Sequence, residues 1–431
     1  MNRPEGNPDE KGLDQNKGTT SVFRNTQAAD LSAESRLLSA FRKDTHACRV
    51  YLAGRECLNE DGGIFHLGLV QKIKQQMSRD PTLSLQHPSV LGLSEFNRRA
   101  NEVAVGRSST ALVENRVLGI QTPGFTGAVR LAAELLKSWY DATRAWDGPL
   151  YLSSPCDDML CDIFQAAGIR DIRRFRYWSD EQCGVCLENL LEDLEEAPEA
   201  SVIVLSASGH YPTGADLSQD QWRIITQLAV RRKLFPVLLL PTPPLCSGDP
   251  WRDAWPVQYC VSLGMELFCV QSFSHSFGLH GEAVGHLLCV PKSSSLLRAV
   301  RSQAEKLAQT LWAPPCTTGA HVVAAVLSNP AHLAEWRLEV TQAVERCMLV
   351  REVLRERLRL LGTPGNWDHL TQQRGLYCCL GMNGQQVDFL AKQRHVYVLP
   401  GGCLNISAIN GRNLDYIAES IYQCLTTRTP H

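Results

Sequence analysis

The residues able to do chemistry fall in a few short motifs. Ser272-Phe273-Ser274-His275-Ser276 sets an imidazole among hydroxyls, and a histidine can serve as a general base near neutral pH. Thr122-Pro123-Gly124-Phe125-Thr126-Gly127 is a glycine-rich turn ahead of an amphipathic stretch ending at Tyr140, an arrangement that an ordinary helix cap would explain. Cys183 and Cys186 form a CxxC, and Cys378 and Cys379 are adjacent. No second CxxC stands at zinc-ribbon spacing, and the two pairs lie about 190 residues apart, so no metal site is expected.

These motifs need a scaffold, and composition bounds it. The 431 residues are 44% hydrophobic and 20% charged, with 43 Lys+Arg against 45 Asp+Glu. Such a chain can bury a large core, and its formal charge of -2 leaves no basic footprint for nucleic acid or anionic lipid. The most apolar stretch, near Leu234 to Leu245, is broken by prolines and is shorter than the roughly 20 residues of a membrane span. The first 20 residues are polar and rich in Gly, Asn and Asp, which predicts a disordered extension without a targeting signal. With 16 cysteines and no secretory signal, a reducing compartment, the cytoplasm, is expected.

Apolar runs at Leu150 to Leu152, Val202 to Leu205, Phe235 to Leu240, Leu267 to Gln271 and His286 to Val290 alternate with helical patterns such as Ser218 to Arg232. Strands that are apolar on both faces and separated by helices predict a mostly parallel sheet flanked by helices, an α/β core. Helical spacing also marks Leu67 to Met77 and Ser94 to Ala104, while the CxxC segment reads as a loop opening a helix. From Val322 to about Leu361 the pattern predicts one long helix, and a shorter α+β tail follows it.

The segments SSPCDDMLCDIF, ASGHYPTG, WRDAW, QSFSHSFGLHGEAVG and LPGGCLNIS stand in the order and spacing of the aspartate aminotransferases, and the chain resembles that family from about Ser21 to its end. The resemblance implies the fold-type I architecture of pyridoxal-phosphate (PLP) enzymes and a homodimer. It implies an arm and part of a small domain over 21–64, a large domain over 65–342, and the rest of the small domain over 343–431.

Position by position, the resemblance also implies an altered site. His275 stands at the family's Schiff-base lysine, and an imidazole cannot form a stable aldimine. Ala283 stands at the arginine that grips the cofactor phosphate. Leu239 replaces the aspartate paired with the pyridine nitrogen, Thr242 and Tyr211 replace the tyrosine and asparagine on the phenolic oxygen, and Asp157 and Leu160 replace the stacking tryptophan and its neighbouring histidine. Phe125 takes a glycine's place in the phosphate turn, where Thr126, like Ser272 elsewhere, is retained. Cys403 and Gln309 stand at the two substrate arginines, which hold carboxylates bidentately. His87 falls at the tyrosine that reaches the phosphate across the dimer.

The expectation is therefore an aspartate aminotransferase-like protein that has lost ordinary transamination. Two alternatives stand beside it. An active enzyme would convert L-aspartate and 2-oxoglutarate to oxaloacetate and L-glutamate with another lysine, Lys233 or Lys306, reaching the pocket. A dimeric scaffold would pair with an active aminotransferase.

Overall fold

The structure is a computed structural model and describes residues 21–81, 88–140 and 146–427; the expected extension over 1–20 and His87 lie outside the described residues. Seven strands form the central sheet: β1 Leu118–Pro123, β2 Leu150–Ser154, β3 Ile172–Arg176, β4 Val202–Ser206, β5 Phe235–Leu240, β6 Leu267–Ser272 and β7 Val284–Val290. Their order is β1-β7-β6-β5-β4-β2-β3. Only β7 runs against its neighbours, pairing antiparallel with both β6 and β1. The parallel middle consists of the all-apolar runs, as a sheet covered on both faces requires.

Two strands lack that signature. β3 reads Ile-Arg-Arg-Phe-Arg and buries only Phe175, because it lies at the sheet edge. At the other edge β1 carries Gln121 and Thr122, both buried.

Four helices matter to the site: α1 Gly124–Trp139, α2 Asp158–Ala166, α3 Ser294–Leu311 and α4 Pro330–Leu360. The predicted single helix from Val322 is instead two, Thr318–Ser328 followed by α4. Asn329 between them is extended (φ -100, ψ 118), and its side chain accepts from the amides of Ala331 and His332. Pro330 then occupies the first helical turn, where its missing N–H costs nothing. An Asn-Pro pair both stops one helix and starts the next.

Past α4, β8 Tyr377–Cys379 pairs antiparallel with β9 Cys403–Asn405, and Val50–Tyr51 pairs parallel with Val396–Tyr397. The early chain thus returns to the late chain. Arg351 of α4 is fully buried and donates to the carbonyls of Leu370, Gly375 and Tyr377. The three bonds offset part of the cost of burying the guanidinium, whose Nε has no partner, and they fasten α4 to the loop leading into β8.

Candidate active site cleft

The carboxyl ends of β2, β4, β5 and β6 converge on a cavity of about 300 Å³. Crevices at this end of parallel strands are where ligands bind in such sheets. Ser153, Ser206, Leu239 and Ser272 line it from the strand ends, the loop after β6 supplies His275, and the first turn of α1 supplies Phe125 and Thr126. Asp157, Leu160, Tyr211 and Thr242 complete the set that the structure brings together. Ala283, Gln309 and Cys403 are not among the lining residues. Ala283 is exposed in the left-handed region at φ 47, and Gln309 is exposed on α3. Cys403 is buried in a small cluster on which Tyr211 packs. Neither Lys233 nor Lys306 lines the cavity: the first pairs with Glu199 and the second is exposed on α3.

His275 is enclosed. Burial, with the neighbouring His280 ring and the Arg55 charge adding to it, lowers its pKa to about 4. The two imidazoles meet edge to face with centroids 5.1 Å apart, and Nδ1 of His275 has no hydrogen-bond partner. At neutral pH the ring is uncharged and a weak base, far from the pKa that suits proton transfer there.

Asp157 has found a partner that sequence reasoning missed. The Arg55 guanidinium forks onto it, with Nη1 to Oδ2 at 2.5 Å and Nη2 to Oδ1 at 3.2 Å, and Nε donates to Glu34 at 2.7 Å. Asp157 also caps α2 by accepting from the Met159 amide at 3.1 Å. Arg55 lies over the Tyr211 ring, 4.7 Å from its centroid, a cation-π contact. The signal was the carboxylate itself: an aspartate in a cleft wall requires a counter-charge, and Arg55, two residues beyond a buried Leu52-Ala53 pair, could be found only once the early chain was placed beside β2.

Tyr211 stands edge-on to Tyr377, centroids 4.8 Å apart at 88°. The loop holding it is fixed from below. His210 Nδ1 lies 2.8 Å from Thr213 Oγ1 and Nε2 lies 3.0 Å from Ser153 Oγ, and its ring stacks on Tyr177 at 4.0 Å. The amides of Gly209 and His210 both donate to Asp216 at 2.9 Å. Gly214, at φ 67, is where a Cβ would fall 2.0 Å from the Tyr377 carbonyl, so only glycine lets this loop abut β8.

The glycine-rich turn departs from the helix-cap expectation. Pro123 precedes α1 and no side chain caps it. Thr126 lies within the first turn, and its hydroxyl donates to the Met159 sulfur at 3.5 Å. Thr122 instead turns its hydroxyl onto the Gly124 carbonyl. Phe125 lines the cavity in front of the turn.

The model of the family described as aminotransferase class I and II matches residues 66–421. The chain is 39% identical over 406 residues to the cytoplasmic aspartate aminotransferase of Gallus gallus, covering 94% of this chain and 98% of that one. Among solved structures it is similar to the aromatic-amino-acid aminotransferase of Burkholderia pseudomallei, covalently bound to pyridoxal phosphate (TM-score 0.89, 28% identity, 94% of this chain and 100% of that one). It is also similar to the cytoplasmic aspartate aminotransferase of Saccharomyces cerevisiae (TM-score 0.89, 27% identity, 94% and 98%). The sheet order, the cleft at its strand ends and these likenesses agree: the architecture is fold-type I, and the chain belongs to the class I and II aminotransferases, among its aspartate aminotransferase-like members.

Proposed function

We propose that this protein keeps the aminotransferase scaffold and has lost ordinary transamination. The observation that carries the reading is His275. The position from which the family's lysine would meet the cofactor holds a half-buried, uncharged imidazole, and no lysine is among the residues that line the cavity. An imidazole forms no stable Schiff base, and with its pKa lowered to about 4 the ring is a weak base near neutral pH.

The other lining residues do not fit a covalently held PLP either. Leu239, only 6% exposed, presents an aliphatic side chain where a carboxylate would have to face a pyridinium. Ala283 offers no charge to a phosphate, and an isolated dianion in a cleft needs charged or multiple hydrogen-bond partners. Thr126 and Ser272 remain as hydroxyls. The Arg55–Asp157 pair and Tyr211 occupy the wall instead, giving a cleft that is apolar within and ion-paired at its rim.

The same reading takes the protein to be a cytoplasmic homodimer divided at about residues 64 and 342. Supporting it are the name of the chicken relative, the near-complete coverage of the relatives' length, and separate apolar clusters around the central sheet and around β8, β9 and the second half of α4. The same coverage leaves room for mixed dimers with an active aminotransferase.

The test is incubation of the purified chain with PLP, followed by absorbance near the aldimine band and an aspartate-to-2-oxoglutarate turnover assay. Neither an aldimine band nor turnover is expected. Saturable binding with turnover would overturn the proposal.

A further inference from the structure

Cys379 and Cys403 face each other across the β8–β9 pair. In antiparallel sheets, opposed residues alternate between hydrogen-bonded and non-hydrogen-bonded positions, and the second kind brings Cα atoms to about 4.5 Å and side chains closest. Cys379 is of the second kind. Its amide donates to Gln373 Oε1 at 2.9 Å and its carbonyl accepts from Gln373 Nε2 at 3.2 Å, so the Gln373 amide takes both backbone groups. The Cys403 carbonyl likewise turns away, to the Leu399 amide.

The two sulfurs converge. A Cβ placed on Gly401 would lie 3.5 Å from the Cys379 sulfur and 3.6 Å from that of Cys403, and the Cys379 thiol donates to the Gly401 carbonyl at 3.3 Å. Disulfides form at Cα separations of about 4.4 to 6.8 Å, a range that includes this register. Both residues are free thiols, 2% and 1% exposed.

We propose that Cys379 and Cys403 form a reversible disulfide site, closed by hydrogen peroxide. One thiol is oxidised to a sulfenic acid as the peroxide O–O bond breaks and water leaves. The second sulfur then attacks the first, the S–O bond breaks, the S–S bond forms and a second water departs. The protein gives up two electrons and two hydrogens, and one peroxide becomes two waters. Either sulfur can meet the oxidant first, and the other then resolves it.

Cys183 brings a surface cleft close to the pair. It lines a surface cleft of about 580 Å³ together with Leu380, Gly381 and Met382, the residues that follow Cys379. A Cβ on Gly381 would stand 2.6 Å from the Cys183 sulfur, so that thiol packs on the backbone two residues beyond Cys379. The pair belongs to the cluster on which Tyr211 packs. Closing the bond therefore cross-links the strands behind one wall of the candidate site, and this holds whether or not any pyridoxal is bound.

The experiment uses the full chain, reduced and desalted, then treated with hydrogen peroxide, alkylated and mapped with trypsin. The expected product joins the peptide 375–392 to the peptide 395–412 through Cys379 and Cys403, with loss of two hydrogens, and dithiothreitol reverses it. Cys403→Ser and Cys379→Ser each abolish the link, and Cys378→Ser leaves it. Should either serine variant unfold, fragmentation of the wild-type linked peptide assigns the sulfurs directly. A link from Cys183 to Cys379 in its place, no link at all, or a link surviving in Cys403→Ser would overturn the proposal.

Discussion

Replacing Asp157 tests whether the cleft is closed by an internal ion pair. Its side chain is 13% exposed and that of Arg55 is 36% exposed, so the pair lies between the surface case, about 0 to 1 kcal/mol, and the buried case, where removing one partner costs about 3 to 5 kcal/mol. Glu34 remains to hold the guanidinium, which places the loss near the lower end, about 1 to 2 kcal/mol. Asp157→Ala also removes the α2 cap, adding about 1 kcal/mol, for a total of about 2 to 3. Asp157→Asn keeps a capping oxygen and loses only the charge, about 1 to 2 kcal/mol. Unfolding entropy of about 2 cal/mol/K per residue gives roughly 0.9 kcal/mol/K for the whole chain, so each kcal/mol moves the midpoint by about 1 °C. Differential scanning calorimetry should find Asp157→Ala lowered by about 2 to 3 °C and Asp157→Asn by less. Equal shifts would deny the capping role, and no shift in either variant would show that the ion pair does not hold the cleft.

Two further predictions concern buried charge. Arg351→Met should cost about 3 to 5 kcal/mol, because the carbonyls of Leu370, Gly375 and Tyr377 lose their donors inside the fold; a chemical-denaturation midpoint close to wild type would show that water replaces them. His275 has its pKa lowered to about 4 by burial, so its uncharged form stabilises the fold fully above the unfolded value near 6.5, and that stability is lost as pH falls from about 6.5 to about 4. His275→Gln should therefore flatten the acid limb of the stability curve by roughly 3 kcal/mol at its foot, measured by urea titrations at stepped pH; identical limbs in the two proteins would show that His275 is solvated.

Much of the core was legible because burial on both faces writes itself into composition. Phe235–Leu240 appears in the sequence as it does in the fold, and the other four apolar runs gain only one or two residues at their ends. Ile172–Arg176 was not legible: an edge strand with three arginines shares its pattern with a polar loop. The break at Asn329-Pro330 was hidden by continuous helical spacing on either side, although Pro at a first helical turn marks a start. In the cleft, the family's site positions could be assigned by motif, and nine of them line one cavity: the altered Phe125, Asp157, Leu160, Tyr211, Leu239, Thr242 and His275, and the retained Thr126 and Ser272. What replaced the missing interactions was invisible. Arg55 is about 100 residues from Asp157 in sequence, and no local pattern predicts a salt bridge over that distance.

The measurement closest to the central claim is borohydride reduction of the PLP-treated chain, followed by intact-mass and peptide mass spectrometry. The account predicts no pyridoxyl adduct on any lysine beyond the level found on unfolded chain. A stoichiometric adduct on one lysine, with aspartate conversion lost when that lysine is replaced, would contradict it.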